Sequence, residues 1–267
     1  MGDRVNISSA SEFENVVGYS RAGIARVGLV TSDAPETTVP LDTVAEATTR
    51  LLETVRGLDA DLTVPSLLPG WSRGHVLAHL ARNADSLVNL LNWARTGIET
   101  PQYASISGRD ADIEAGAPRP LPEQLADNTT AANRWLDLAR SLPADAWSAT
   151  VRTRQGNSIA ATEVIWMRLQ EVEIHHADLA AAYQPADWPA DFVTRLLPRA
   201  AADLTKAAPA TPTFEIRATD SAITAVIGTD SPTSVITGPA NSLLAWLLGR
   251  SNGADLTGDQ PTLPNWK

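Results

Sequence analysis

Apolar positions along the chain recur in two registers. From Leu41 to Tyr183 they repeat at three- and four-residue intervals, the period of amphipathic helices. Leu41, Val44, Ala45, Leu51, Leu52 and Val55 make the first stripe, and Gly57 stops it. A loop with Pro65, Pro69 and Gly70 follows. Ser72 then has the chemistry of an N-cap for a second helix through Val76, Leu77, Leu80, Leu87, Leu90, Leu91 and Trp93, ended by Thr96-Gly97. The third helix spans Leu121 to Leu142, with Leu125, Ala132, Trp135, Leu136 and Leu138 toward a core, and the fourth spans Thr162 to Tyr183. Val151 to Ile159 reads as a short hairpin around Gln155-Gly-Asn157. Glu99 to Pro122 is rich in proline and glycine and reads as a long polar connection, either a lid or crossover facing a ligand or a plain connector.

After Pro185 the pattern changes. Ala190 to Ala208 keeps a helical period, and Phe214–Ala218, Thr224–Ile227 and Ser234–Thr237 are short strand-like runs between turn residues. Gly238-Pro239 opens a last helix, Asn241 to Gly249, and Leu256 to Lys267 is a tail. Residues 1–39 contribute little to a core. Thr31 to Pro40 has a linker's composition, although Phe13 to Leu29 alternates weakly, as a strand does. The fold expected is mainly α: a poorly ordered extension over 1–39, a four-helix bundle over 40–185 and a small α+β domain over 186–267.

A chain of 267 residues can bury a core without covalent staples. Its 43% hydrophobic and 19% charged residues are those of a globular protein. The formal net charge of −10, with no long basic run, argues against nucleic acid or an anionic membrane as partner. There is no cysteine, which excludes a disulfide framework, a thiolate metal ligand and a thiol nucleophile from the protein itself. No apolar run approaches the ~20 residues of a membrane span, and no charged start precedes an apolar stretch as in a signal peptide. A cytoplasmic monomer is the expectation.

The candidate chemistry lies in the fourth helix. Glu171 and His175 are four residues apart, so a helix sets both on one face with Cβ atoms roughly 5–6 Å apart. The same spacing also describes an ordinary solvated salt bridge. The apolar neighbours Val172, Ile174, Leu179 and Ala180 favour an inward-facing pair, and buried charge needs a partner or a metal. The four histidines fall in two clusters, His75 with His79 and His175 with His176. If the second and fourth helices run antiparallel, His79 meets Glu171 and His175, giving a two-His, one-Glu set with an open fourth position, the pattern of catalytic zinc.

His75, one turn before His79, is either a further ligand or a first-turn residue. Asp178 either orients His175 or is a surface charge. Asn83 either touches the site or makes a core hydrogen bond. His176 points about 100° from His175 and reads as packing. Trp71, Trp93 and Trp166 read as core aromatics, and Arg82 and Arg168 as ion-pair residues. No P-loop, GxGxxG, GxSxG or HExxH occurs.

Longer stretches carry a family likeness. Leu68-Pro-Gly-Trp-Ser-Arg-Gly-His-Val-Leu-Ala-His79, Asn92-Trp-Ala-Arg-Thr-Gly-Ile-Glu-Thr-Pro-Gln-Tyr103, Ile165-Trp-Met-Arg168 and Glu171-Val-Glu-Ile-His175 resemble the mycothiol-dependent maleylpyruvate isomerases. So does the ending Gly238-Pro … Gly249-Arg250. The likeness covers roughly residues 41–267 and leaves 1–39 outside. These isomerases sit within the wider DinB-like group of thiol-using metalloenzymes.

The resemblance implies a DinB-like bundle holding a divalent metal, zinc as a rule, through His79, Glu171 and His175. Glu171 stands where many of the wider group have histidine, and His176 has no clear counterpart. The resemblance further implies a functional arginine at Arg250, mycothiol as the thiol cofactor, and cis-trans isomerisation of maleylpyruvate to fumarylpyruvate in gentisate breakdown. The chemistry expected is thiolate addition to the alkene, rotation and elimination. Without the resemblance, Arg250 reads as a cation closing the last helix. Two other functions remain open at this stage: a mycothiol S-transferase acting on another electrophile, and a binding protein with a vestigial site.

Overall fold

The computed structural model describes residues 38–207 and 212–264. The extension expected over 1–39 therefore lies, but for its last two residues, outside the described residues, as does Ala208. The rest is mainly helical, with a small group of strands toward the C-terminus.

Helices α1 (Leu41–Arg56), α2 (Arg73–Thr96), α4 (Leu121–Arg140) and α5 (Glu163–Asp178) form a bundle. α1 packs on α4 and α5, and α2 packs on the same two, so each helix has two neighbours. The start of α2 is well specified. Ser72 Oγ accepts from the His75 amide, and the Ser72 amide donates back to His75 Nδ1 at 3.2 Å. That reciprocal capping box satisfies two otherwise orphaned amides. At the other end Gly97 adopts a φ of 71°, the left-handed conformation that glycine supplies cheaply.

The fourth predicted helix was expected to reach Tyr183, but α5 stops at Asp178. Arg73, at the first turn of α2, donates from Nε to the Leu179 carbonyl and from Nη2 to the Ala180 carbonyl, both at 2.7 Å. The Leu67 amide takes the Asp178 carbonyl. Those acceptors are the orphans of a helix end, and partners from the neighbouring helix make stopping there more favourable than another turn. Ala180 takes a φ of 50° as the chain turns away. The same contacts place the start of α2 beside the end of α5, so the two helices run antiparallel.

The long connection between the second and third predicted helices also differs from expectation. It contains a further helix, α3 (Ile106–Gly116), capped by Ser105, whose Oγ accepts from the Gly108 amide. The prolines, Pro101, Pro118, Pro120 and Pro122, all lie outside this helix. α3 lies against α2 through two glycines. A Cβ on Gly74 would stand 2.1 Å from the Ala117 carbonyl oxygen, and one on Gly116 would stand 2.8 Å from Ala78 Cβ. Gln124 Nε2 donates to the carbonyls of both glycines.

The predicted hairpin is present as β1 (Thr150–Arg152) and β2 (Ser158–Ala160), paired antiparallel. Its turn is pinned by the Arg154 amide, which donates to Gln102 Oε1 at 2.7 Å.

C-terminal to the bundle, α6 (Ala190–Ala207) and α7 (Ala240–Leu247) pack on each other and on a sheet of β3 (Phe214–Ala218), β4 (Thr224–Ile227) and β5 (Ser234–Gly238). The strand order is β4-β3-β5, with β3 antiparallel to β4 and parallel to β5. Phe214 and Ile216 point inward and Arg217 outward, the period-two pattern of a one-sided sheet. The apolar core is continuous, running from Val39 through the bundle to Leu256. Trp188 Nε1 donates to the Glu173 carbonyl, and Phe192 packs on Trp166, so α6 is seated directly on α5.

No helix among the described residues is long and apolar enough to cross a membrane. Gly74→Ala should force α3 away from α2 at a loss of about 1–3 kcal/mol, measurable as a lower denaturation midpoint in urea; an unchanged midpoint would contradict the close approach.

Candidate metal centre

His79 lies on the face of α2 that meets α5, and Glu171 and His175 lie one turn apart on α5. Antiparallel packing brings the three side chains to one point. His79 Nε2 is 2.9 Å from Glu171 Oε2 and 3.1 Å from His175 Nε2, and the third side, His175 Nε2 to Glu171 Oε2, is 3.2 Å. Ligands at ordinary zinc distances in a tetrahedron stand roughly 3.3 Å from one another. The triangle therefore matches one face of such a tetrahedron, and these residues are the group that could hold a metal ion among the described residues.

The tautomer of His175 supports the match. Its Nδ1 lies 2.8 Å from Asp178 Oδ2, and a carboxylate only accepts, so Nδ1 carries hydrogen and donates. Nε2 is the atom turned to the triangle, as in carboxylate–histidine–metal arrangements. Asp178 is fully buried and is itself held by Arg250, whose Nε and Nη2 donate to its two oxygens at 3.0 and 2.9 Å. The surface-charge alternative for Asp178 is thereby set aside.

Electrostatics follow from burial and neighbours. Burial lowers the His79 pKa to about 4, which keeps its imidazole neutral. Burial would also lower His175, but the Asp178 and Glu171 carboxylates outweigh it and raise that group to about 9. Burial alone would raise Glu171; hydrogen bonds from His175 and His79 hold it well below the usual carboxylate range. Asp178 is likewise held down against burial by His175 and Arg250. In the absence of a cation, a proton on His175 thus supplies the positive charge that the carboxylates call for.

The triangle faces a cavity of about 610 Å³ whose wall includes Trp71, Asn83, Tyr103, Arg109, Trp166 and Arg250. Trp71 was expected in the core. It is half-buried instead, its ring centroid 5.5 Å from that of His79. Trp166 is buried as expected but also reaches this wall.

Of the other candidates, Asn83 is buried and its Oδ1 accepts from Arg168 Nη1, the core hydrogen bond expected as one alternative. His75 is not a fourth ligand: its ring closes the capping box and lies 3.4 Å from Glu114. His176 packs face to face on Tyr183, with Nε2 at 2.8 Å from Thr54 Oγ1. Arg82 pairs with Asp85 and Asp127. Arg168 does not make the expected ion pair; fully buried, it donates to the Leu80 carbonyl and to Asn83.

One cavity residue had no signal in spacing. Arg109, on α3, brings Nη2 to 3.3 Å from His79 Nδ1. Only the Ser105 cap could have shown that its segment is helical.

The bundle, its His/Glu triangle and the packed C-terminal sheet define a two-part, mainly α-helical protein with a candidate metal centre. The sequence matches the family described as Mycothiol maleylpyruvate isomerase N-terminal domain over residues 44–180, and the MDMPI C-terminal domain over 187–265. The chain belongs to the mycothiol maleylpyruvate isomerase family. A crystal structure of a mycothiol-dependent maleylpyruvate isomerase superposes with a TM-score of 0.81 at 29% identity, covering 86% of this chain and 100% of that one. A histidine-to-alanine mutant of a mycothiol-dependent maleylpyruvate isomerase aligns equally well, at 28% identity. No curated protein sequence matches the chain.

Asp178→Asn should weaken zinc retention by about 10–100-fold, the usual effect of losing a partner behind a ligating histidine. His75→Ala should leave it unchanged. Competition with a chromogenic chelator measures both.

Proposed function

We propose that the chain is an isomerase that converts maleylpyruvate to fumarylpyruvate, with mycothiol as its thiol, in the breakdown of gentisate. The observation that carries this is the triangle of His79, Glu171 and His175 facing a cavity, in a member of the isomerase family that has no cysteine of its own. Three protein ligands leave a fourth position for a thiol from solution. A divalent ion there, zinc by the nature of the donors, would keep a bound thiol deprotonated near neutral pH, where a free thiol of pKa near ~8.5 is mostly protonated. Addition of the thiolate removes the double bond for a moment, the carbon skeleton turns, and elimination leaves the trans product.

The chain's own residues supply orientation and field. Asp178 fixes the His175 ring, and Arg250 fixes Asp178. We assign Arg250 this positioning role, because both donors along one edge of its guanidinium are taken by Asp178 and its Nη1 donates to the Leu248 carbonyl. Trp71 shields the His79 ring from water. Arginines 109, 154, 199 and 250 outnumber Glu163 and Glu171 on the cavity wall, which favours a dianionic substrate. A thiol that must stay reduced suits the cytoplasm, and the partners of this monomer are then the substrate and the thiol.

Zinc-loaded protein should deplete maleylpyruvate, followed by its ultraviolet absorbance, only when mycothiol is present. A chelator should abolish the reaction and added zinc restore it. No depletion with both zinc and thiol present would overturn the assignment. Arg250→Lys keeps the charge but loses the fork; kcat/KM should fall about tenfold or more, with weaker zinc retention and little change in the KM for maleylpyruvate.

A further inference from the structure

We propose that Arg109 holds a carboxylate of the substrate beside the ligand triangle and so sets the requirement for an anionic substrate, an inference that rests on the isomerase reading above.

Position comes first. The glycine contacts of Gly74 and Gly116 seat α3 on α2, and this delivers the Arg109 guanidinium to His79 Nδ1. That nitrogen is across the ring from Nε2, so Arg109 stands one imidazole away from the ligand atoms. Its side chain is 15% exposed and lines the same cavity. Tyr103 lies beneath the guanidinium, 5.8 Å from ring centroid to Cζ, a cation–π contact that steadies it.

Its donors come second. An arginine offers five N–H groups. Nη1 donates to Asp110 Oδ1 at 2.7 Å, but the Asp110 side chain is 57% exposed, and such pairs hold weakly. Nη2 faces His79, and the covered Nε has no acceptor. A nearly buried cation with unspent donors and no buried carboxylate is a costly arrangement. An anionic ligand in the cavity takes the remaining Nη1 and Nη2 hydrogens, and the planar guanidinium suits a carboxylate.

The other cavity arginines are placed differently. Arg250 is committed to Asp178 and Leu248. Arg199 lies 3.6 Å from Glu163. Arg154 is exposed on the hairpin turn. Among these four, Arg109 combines low exposure, nearness to the triangle and donors left over.

The probe is maleylpyruvate with its alkene reduced to a single bond, which keeps both carboxylates and cannot accept a thiolate. By calorimetry on zinc-loaded protein, Arg109→Gln should bind it at least tenfold more weakly than wild type, and Arg109→Lys should recover part of the loss. Zinc content and Tm should match wild type in both variants. In turnover, the KM for maleylpyruvate should rise at least tenfold while the KM for mycothiol stays within twofold. Analogue binding within twofold of wild type in Arg109→Gln, or a loss seen only together with loss of zinc, overturns the proposal. A wild-type protein that binds the analogue through Arg109 yet turns over no maleylpyruvate overturns the isomerase assignment and leaves the anion site standing.

Discussion

The buried carboxylate of Asp178 is the constraint that ties the structure together. A charge removed from water is tolerated only when its oxygens are satisfied. Here one oxygen accepts from His175, and both accept from the fork of Arg250. The first contact selects the tautomer that leaves His175 Nε2 for the triangle. The second fastens the segment after α7 to the last turn of α5. The Asp178 backbone takes part as well, since its carbonyl accepts from Leu67 just ahead of α2. Ligand orientation, helix termination and the seat of the C-terminal part thus converge on one residue.

The antiparallel arrangement of α2 and α5 explains why the three candidate ligands stand where they do. Arg73 and Asp178 fix the two helix ends against each other, and His79 and the Glu171–His175 pair lie within two turns of those ends. The site is therefore built on packed helices rather than on loops, which favours precise placement of its side chains. The glycine contacts bring a third helix close enough to add Arg109 to the wall without displacing α2.

Charge is distributed unevenly. The whole chain is acidic, with a formal net charge of −10, whereas arginine predominates over glutamate on the cavity wall. Arg250 is tied to Asp178 and Arg199 lies beside Glu163, so the fields that meet an anion come chiefly from Arg109 and Arg154. Burial strengthens those fields and, in the same place, holds His79 neutral.

Much of this was legible in the sequence. The 3.6-residue period marked all four bundle helices, turn residues marked the hairpin and the three C-terminal strands, and the i, i+4 spacing of Glu171 and His175 marked the face that meets His79. Local rules sufficed there because propensity, capping and burial agree within one element. Other features depended on partners remote in the chain. α5 ends at Asp178 because Arg73, far away in sequence, takes the two carbonyls that follow it. Glu99–Pro122 contains a helix because its prolines lie outside it and Gly116 fits against α2. Trp71 lines a cavity rather than the core, and Arg109 reaches His79, because of how helices cross. Sequence by itself determined which residues can ligate, cap and form helical faces, since these are properties of side chains and short spacings. Which of them meet, and which charge neutralises which, only the tertiary structure decided, because contacts and desolvation arise when distant segments pack.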